Sequence, residues 1–369
     1  MCDHRAMNTE WNNPYVSARS AVLGRNVVST SQPLAAQAGL RMLQAGGNAV
    51  DAALAAAMAL TVVEPTGCGL GSDAFAIVWD GKELHGLNAS GRSPAAWSAD
   101  RFKGHAEMPA KGWDTVTVPG AVSAWSALSR RFGRLPFADL AGPAIAYARH
   151  GFPVSPIVAR LWALGADRLR DQPGFAECFM QQGRVPYASE IFRSEAHART
   201  LEAIANTHGE AFYRGPLAQA IAAHSKACGG VMTEEDLANH SADWCGTLAQ
   251  PFAGSVVHEI PPNGQGIAAL MAMGMLEALG VGQHPVDHVD TVHCAIEAMK
   301  LALSDLEHYN ADPLSMRVAP GALLDPGYLA DRARLIDLQR AGDPGHGAPK
   351  PGGTVYVAAA DAGGMMVSF

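Results

Sequence analysis

The first part of the chain shows a helical spacing of apolar residues. In PLAAQAGLRMLQA, residues 33–45, leucine, alanine and methionine recur every three or four positions, and Gly46 and Gly47 follow where a helix would end. The next stretch, AVDAALAAAMALTVV, is apolar nearly all round and begins after Asn48, a suitable N-cap. The pattern therefore predicts two consecutive helices, the second of which lies inside the protein.

Short apolar runs near the two ends of the chain predict β-strands. VVST is one such run, and AFAIVWD and ELHGLNAS, joined by the turn DGKE, predict a hairpin. TVYVAAAD and MMVSF, separated by a turn at 362–364, predict a second hairpin at the end of the sequence. From Pro119 the pattern is mainly helical, as far as the breaker-rich linker PGHGAPKPGG at 344–353. The predicted fold class is α+β.

Composition and charge narrow the possible functions. The 369 residues are 48% hydrophobic and 17% charged, which is typical of a soluble globular protein of one large or two medium domains. The net charge of −8 argues against binding to nucleic acid or to an anionic membrane, since both partners favour a basic surface. We therefore expect small-molecule partners, with no nucleic acid and no membrane.

The cysteines and the first residues bear on the cellular compartment. The six cysteines form no CxxC pair, so we expect free thiols in a reducing environment. MCDHRAMNTEWNNPY has no apolar core and does not resemble a secretory signal. No run reaches the ~20 apolar residues that a membrane span needs. These features predict a cytoplasmic protein in which residues 1–25 form an N-terminal tail.

A glycine-dense loop, EPTGCGLGSDAF, follows the second predicted helix. Gly67, Gly69 and Gly71 give G-x-G-x-G, but the order helix, loop, strand is the reverse of a dinucleotide-binding unit. Glycines permit a close-packed turn, and they also let backbone N–H groups approach a substrate. The loop is either a tight turn or a candidate wall of a substrate cavity.

Histidines 284, 288 and 293 suggest a metal site at first sight. Pro285 lies between the first two, which disfavours a shared helix face, and no HExxH pattern is present. We expect these histidines to be surface or capping residues, and we expect no metal ion. A serine hydrolase is also disfavoured, because neither Ser72 nor Ser90 lies in a G-x-S-x-G motif.

Thr354 begins the last predicted hairpin and follows Gly352 and Gly353. A threonine hydroxyl becomes a useful nucleophile when a base lies beside it, and its own α-amine can be that base once the preceding peptide bond is cut. The two glycines allow the unusual backbone geometry that such a cut requires. The alternative on local chemistry is that Gly-Gly-Thr marks only the beginning of a strand.

Several blocks follow one another in a characteristic order along the chain. They are GGNAVDAALAAAMALTVVEPTGCGLGSDAF, TVPGAVSAWSALSRRFG, EAFYRGPLAQAI, MTEEDLANH, PPNGQGIAALMAMGMLE and HCAIEAMKLALSDLEHY. In content and order they resemble the γ-glutamyltranspeptidase family of N-terminal-nucleophile hydrolases. The resemblance extends from about Asn26 to the end of the sequence.

The resemblance implies a fold, a reaction and a processing site. The fold is a four-layer αββα sandwich with two stacked sheets between helical layers. Thr354 falls on the nucleophile of the family, the bond between Gly353 and Thr354 on its self-cleavage site, and Asp361 on the aspartate that ends the first strand. Residues 26–353 then form a large-subunit-like region, and residues 354–369 begin the small catalytic subunit. No cofactor is implied, and the expected partners are an amide substrate, water or an amine acceptor, and the chain's own C-terminal subunit.

Three departures from the family pattern affect the predicted specificity. Val355 and Tyr356 replace the usual Thr-His after the nucleophile, and Asp73 with its preceding serine interrupts the glycine run. Ser90 stands where the family has the arginine that binds the substrate's α-carboxylate. Arg92 lies two residues later, so in a continuing strand it would share the same face and become a candidate carboxylate ligand, or else a surface charge. Acylases and amidohydrolases that act on other amides therefore fit as well as γ-glutamyl enzymes.

Two alternatives remain at this point. One is a non-catalytic or inert truncated relative that keeps the fold and does not cleave itself. The other is a secreted glutathione-degrading transpeptidase, which the apparent lack of a signal segment disfavours. Because the resemblance implies a longer small subunit, we expect residues 1–369 alone to be inactive.

Overall fold

The computed structural model describes residues 22–344 and 357–369. Gly353 and Thr354, on which the predicted chemistry depends, lie outside the described residues. The strands, in chain order, are β1 (Val27–Thr30), β2 (Ala74–Trp79), β3 (Leu84–Ala89), β4 (Phe152–Pro153), β5 (Ile191–Phe192), β6 (Asp243–Trp244), β7 (Leu248–Phe252), β8 (Ser255–Glu259), β9 (Val357–Ala360) and β10 (Met366–Ser368).

Fourteen α-helices are found within the described residues, together with two 3₁₀ turns at Ala99–Phe102 and Trp113–Thr115. The helices are α1 (Pro33–Gln44), α2 (Ala49–Val63), α3 (Ala121–Phe132), α4 (Phe137–His150), α5 (Pro156–Leu169), α6 (Phe175–Phe179), α7 (Glu195–Asn206), α8 (Glu210–Arg214), α9 (Pro216–Ala227), α10 (Glu234–Ala238), α11 (Gly266–Ala278), α12 (Val289–Tyr309), α13 (Pro320–Leu323) and α14 (Pro326–Ala333).

The predicted elements around the glycine loop are confirmed. Helices α1 and α2 and the hairpin β2–β3 occur where the apolar pattern places them, with small shifts of their ends. The strand VVST and the last hairpin, β9–β10, are present as well. The local pattern predicts these elements well because each combines a clear period with glycine or a capping residue at its boundary.

The main sheet has six strands in the order β1-β9-β10-β2-β3-β6, and each pair is antiparallel. The last hairpin therefore inserts between β1 and β2, which belong to the first quarter of the chain. The two ends of the sequence are joined in one sheet, so neither can form this structure without the other.

Helix α2 is the centre of the main core. All fifteen of its residues are buried, which confirms the prediction made from its all-round apolar character. It packs on β9 and β10 on one side and against α1, α3 and α4 on the others. A helix without a solvent face depends on its neighbours for every contact, and its polar ends must be satisfied inside the protein.

The N-terminus of α2 is held by two carboxylates, one from its own first turn and one from a distant part of the sequence. Asn48 and Asp51 form a reciprocal capping box, and Asp51 also accepts the N–H groups of Arg134 and Leu135 at 3.1 and 3.3 Å. Asp361, in the turn of the last hairpin, accepts the N–H of Ala49 at 3.2 Å. Burial raises the pKa of Asp51, although these hydrogen bonds oppose the shift.

A second, smaller core lies in the later part of the chain. Helices α11, α12 and α14 pack together, and the hairpin β7–β8 packs on α11. The segment between β6 and β7 joins this core to the main sheet: Cys245 donates its backbone N–H to the carbonyl of Gly86 in β3 at 2.9 Å. This connection brings the loop after β8 to the edge of the main sheet.

Removing the Asp51 carboxylate is expected to destabilise the protein strongly. Asp51→Ala leaves the N–H groups of Asn48, Arg134 and Leu135 without their acceptor in a buried site, and we expect a loss of about 3 kcal/mol in the free energy of unfolding. Urea denaturation measures it. The matched control is Asp139→Ala, an exposed aspartate in the first turn of α4, for which the loss should stay below about 1 kcal/mol. Equal losses would contradict the role given to Asp51.

Candidate active site

The strand that follows the predicted nucleophile begins at one edge of the main sheet. Thr30 pairs with Val357, the first residue of β9, and Ser368 of β10 pairs with both Ala358 and Ile77. In the next pair Ala74 lies opposite Ala89, so β2 begins and β3 ends at this same edge. Thr354 is three residues before Val357 in the sequence but outside the described residues, so its side chain is not placed.

A cavity of about 450 Å³, here called the edge cavity, opens at this edge. Its walls come from α2, the glycine loop, the beginning of β2, helix α3 and the end of β8. Gly67 and Gly69 line it, in agreement with the predicted cavity wall. A Cβ added at Gly69 or at Gly71 would meet no atom within 4 Å, so the loop turns an open backbone surface outward.

Ser72 fixes the shape of the glycine loop. Its Oγ accepts the N–H of Gly69 at 2.9 Å, and its carbonyl accepts the N–H groups of Gly120 and Ala121 at 3.0 and 2.8 Å. The loop is thus tied to the N-terminus of α3, whose first N–H groups gain an acceptor. The serine that departs from the glycine run therefore has a structural role.

Two carboxylates without a basic partner line the edge cavity. Burial raises the pKa of Asp73, at the beginning of β2, and also that of Glu259, at the end of β8. Neither forms an ion pair with a lysine or arginine of the described residues. Glu259 lies against Gly266 at the N-terminus of α11, where an added Cβ would clash with its Oε2. The cavity therefore carries acidic groups that are easier to protonate than exposed ones.

The thiol in the same cavity is not activated. Burial, assisted by the nearby charge of Glu64, raises the pKa of Cys68 to about 12. Since the thiolate is the nucleophilic form, Cys68 cannot act as a cysteine nucleophile near neutral pH.

A second cavity at this edge, of about 390 Å³, is here called the amide cavity. Asn263 is its centre: its Oδ1 accepts the side-chain N–H of Asn88 at 2.8 Å, and its Nδ2 lies 3.0 Å from Ser90 Oγ. Asn310 donates to the carbonyl of Asn263 at 2.9 Å. Ser90, at the position of the family's arginine, is therefore part of an uncharged hydrogen-bond network.

Arg92 lies in the amide cavity, but not in the way the sequence suggested. Strand β3 ends at Ala89, and Gly91 has φ +75°, so the alternation of side chains does not continue to Arg92. The expected continuation of the strand is wrong. Instead, the Arg92 side chain is 66% exposed, and its guanidinium lies 3.5 Å from the carboxylate of Asp312.

The three histidines have local structural contacts. His288 is the N-cap of α12 and accepts the N–H of Asp290 at 3.2 Å, which confirms the capping prediction for this residue. His284 stacks on the His288 ring with centroids 4.3 Å apart, and His293 donates to the carbonyl of Asp337. His284, His288 and Asp290 bring potential ligand atoms within 4.8 Å of one another, but the cap already uses Nδ1 of His288.

Comparison with known proteins identifies the family. The family model described as gamma-glutamyltranspeptidase matches residues 35–369. The chain belongs to the gamma-glutamyltranspeptidase family. It is 34% identical over 354 residues to the glutathione hydrolase-like YwrD proenzyme of Bacillus subtilis, covering 95% of this chain and 67% of that protein. It is also 35% identical over 344 residues to the oxamate amidohydrolase proenzyme of Klebsiella pneumoniae, covering 91% and 64%.

Solved structures of relatives share the fold. The cephalosporin acylase from Bacillus halodurans superposes with a TM-score of 0.89 at 45% identity, over 98% of this chain and 68% of that one. The gamma-glutamyltranspeptidase from Pseudomonas nitroreducens gives 0.81 at 26% identity, over 87% and 97%. This gamma-glutamyltranspeptidase-family chain thus has the α+β fold of the N-terminal-nucleophile hydrolases, and its relatives are enzymes. It spans about two thirds of the length of the curated relatives named here.

Sequence analysis of this family member missed several residues that line the site. Asp73 was noted only as a departure from the glycine run, and Asn263 lies in the turn PPNG, which signals a loop but not its contacts. Glu259 has no local signal at all. Asn263 and Glu259 reach the sheet edge through the packing of β8 and α11, which sequence spacing does not specify.

The raised pKa of Asp73 gives a test by pH. Above the folded-state pKa the buried carboxylate is ionised at a free-energy cost, and below the unfolded-state value that cost is absent; stability is therefore lost as pH rises through this window. Asp73→Asn removes this cost. The unfolding free energy of the variant, relative to that of the parent protein, should therefore be higher at pH 7.5 than at pH 4. Urea denaturation at both pH values measures this, and Asp139→Asn corrects for the loss of an exposed negative charge. A difference that does not change with pH would contradict the assignment.

Proposed function

We propose that the chain belongs to an autoprocessing threonine amidohydrolase or acyltransferase in which Thr354 is the nucleophile. The observation that carries the proposal is the position of β9. The strand that follows Gly-Gly-Thr begins at the sheet edge where the edge cavity and the amide cavity both lie. The proposal is that a substrate bound in one of these cavities meets Thr354, which precedes β9 by three residues in the sequence.

The proposed processing step uses atoms of the chain itself. Thr354 Oγ attacks the carbonyl carbon of Gly353, the peptide C–N bond breaks, and the proton of the hydroxyl is transferred to the departing nitrogen. Water then hydrolyses the resulting ester. The products are a carboxylate at Gly353 and a free α-amine at Thr354.

Turnover follows the same chemistry with the new amine as base. The α-amine, whose ordinary pKa is about 7.7–8.0, accepts the hydroxyl proton while Oγ attacks the amide carbon of the substrate. The leaving amine takes that proton, and an ester acyl-enzyme remains. Water or an acceptor amine attacks the ester and restores Thr354, so no cofactor is required.

The substrate is proposed to be a γ-glutamyl compound or a related amide. Relatives are named as a glutathione hydrolase-like proenzyme, an oxamate amidohydrolase proenzyme and a cephalosporin acylase, so the compounds in their names differ. Arg92 is the proposed ligand for a substrate carboxylate. Because its pair with Asp312 is exposed and such pairs contribute ~1 kcal/mol or less, a substrate carboxylate can displace Asp312.

We also propose that the protein works in the cytoplasm. The five cysteines of the described residues are free thiols, as is usual in a reducing compartment. Within those same residues, no helix combines the length and apolar character needed to cross a membrane. Cell fractionation followed by detection of the protein tests the proposed location.

Replacing the nucleophile is the decisive experiment. In the full-length gene product, intact-mass analysis should find two chains divided between Gly353 and Thr354, and Thr354→Ala should remain one chain. The variant should also lose at least ~10³-fold in amide hydrolysis, since the acyl-enzyme cannot form. Thr354→Ser keeps a hydroxyl and should cleave, more slowly.

The matched control is Thr117→Ala, at an exposed position that lines neither cavity, which should cleave and turn over like the parent. Cleavage of the Thr354→Ala protein at the same bond would refute the proposal. A parent protein that stays intact and inactive would support the non-catalytic alternative.

Arg92 can be tested with two substrates. Arg92→Gln should lower kcat/KM for γ-glutamyl-p-nitroanilide roughly tenfold or more, because a charge-assisted hydrogen bond is lost, and should change it little for butyryl-p-nitroanilide, which has no carboxylate. Asp312→Asn removes the partner of the Arg92 guanidinium and should not lower kcat/KM for γ-glutamyl-p-nitroanilide. Arg199→Gln, an exposed arginine on α7, is the control. Equal losses for both substrates would assign Arg92 a structural role only.

A further inference from the structure

Behind the glycine loop lies a cavity that the proposed reaction does not use. It measures about 540 Å³, within the usual range of small-molecule sites, and is here called the aromatic cavity. The loop from Pro65 to Ser72 forms one wall, and Trp162, Phe179 and Phe192 form another. It shares part of the glycine loop with the edge cavity, so the same backbone separates two spaces.

The aromatic wall is preformed. The Trp162 and Phe192 rings have centroids 4.7 Å apart at 62°, and Phe179 packs on Trp162 at 6.2 Å and 72°. Trp162 and Phe192 are 3% and 5% exposed, so neither is free to rearrange. Edge-to-face pairs of this kind offer a rigid apolar surface on which another ring can pack.

The aromatic cavity has hydrogen-bonding groups but no charged wall. Its described lining residues include no Asp, Glu, Lys or Arg. Burial lowers the pKa of His197 to about 4, so this lining histidine is neutral at physiological pH. An ionised ligand would therefore lose its hydration without gaining a counter-charge.

The hydrogen bonds around His197 define its free acceptor. Thr61 donates its hydroxyl proton to the carbonyl of Met58 at 2.7 Å, so its Oγ1, 3.3 Å from His197 Nε2, can only accept. The imidazole proton is thus on Nε2, which leaves Nδ1 as an acceptor with no partner within residues 22–344 and 357–369. A ligand N–H or O–H can supply that partner.

A second polar group in the same wall also has no partner. The Oγ1 of Thr66 is buried and forms no hydrogen bond to any described residue, although Thr66 lines the aromatic cavity. Buried hydroxyls are nearly always hydrogen-bonded, and a rotation of the Thr66 side chain that turns Oγ1 into the cavity would let a ligand carbonyl oxygen accept from this one. The cavity therefore offers one acceptor, one hydroxyl donor and a flat apolar wall.

We propose that the aromatic cavity is a second small-molecule site, which binds an uncharged aromatic amide. The ring packs against Trp162 and Phe192, the amide N–H donates to His197 Nδ1, and the amide oxygen accepts from Thr66. The site does not depend on Thr354, because none of these groups takes part in the proposed acyl transfer.

The test uses the full-length protein and two probes of nearly equal size, phenylacetamide and phenylacetate. Saturation-transfer NMR titration should detect phenylacetamide binding in both the parent and the Thr354→Ala protein. Phenylacetate should bind about tenfold more weakly or worse, because its carboxylate has no counter-charge in the cavity. Failure of the processing experiment would leave this result untouched.

Substitutions locate the probe. Ala196→Phe and Thr200→Trp add bulk from α7 at residues that line the cavity, and each should weaken phenylacetamide binding about tenfold or more. His197→Leu removes the acceptor and should weaken it several-fold. Ala223→Phe, the same added bulk at an exposed position on α9, should bind like the parent. Melting temperatures show that each variant is folded.

Cys178 provides an independent readout. It is an exposed free thiol that lines the aromatic cavity, so bound phenylacetamide should slow its alkylation by iodoacetamide. Peptide mass analysis monitors the alkylation. The proposal fails if phenylacetate binds as well as the amide, if both filling variants bind like the parent, or if Cys178 is not protected at saturating probe.

Discussion

The structure depends on one constraint: the first backbone N–H groups of the buried helix α2 need hydrogen-bond acceptors inside the protein. Helix α2 is buried along its whole length, so its first N–H groups cannot be left to solvent. Asn48 and Asp51 supply a local cap, and Asp361 supplies a carboxylate from the other end of the chain. Both carboxylates also interact favourably with the positive end of the helix dipole. The last hairpin is thereby anchored to the helix on which it packs.

The contact between Asp361 and α2 also fixes where β9 begins. Once the turn at Asp361 is fixed at the N-terminus of α2, the strand β9 must run with its beginning at the opposite edge of the sheet, near the C-terminal end of the helix. The glycine loop leaves α2 at that end and lines the edge cavity. The packing of one buried helix thus places the beginning of β9 at the same sheet edge as the edge cavity.

The two cavities at this edge of the sheet carry different polar groups, which are the candidate determinants of acyl-group specificity. An uncharged network of Asn88, Ser90 and Asn263 lies at the end of β3, and Arg92 is paired with Asp312 from another element. Asp73 and Glu259 add buried carboxylates to the neighbouring cavity. Under the proposed function, Thr354 performs the amide cleavage, and these groups are the candidate contacts of the acyl group.

Local sequence patterns were enough to predict most of the helices and strands around the site, and the ordered blocks were enough to indicate the family. The buried helix, its capping asparagine, both hairpins and the glycine loop follow from local periodicity, because these signals lie within a few residues of each other. The ordered blocks carry the resemblance to the family, and that resemblance implies the family's fold. Three features required the folded chain: Arg92 lies beyond the end of β3 and pairs with Asp312, Glu259 reaches the edge cavity, and Asp361 caps a helix 312 residues away. The physical reason is that such contacts join groups far apart in sequence, and their geometry is set by how helices and strands pack rather than by any local pattern.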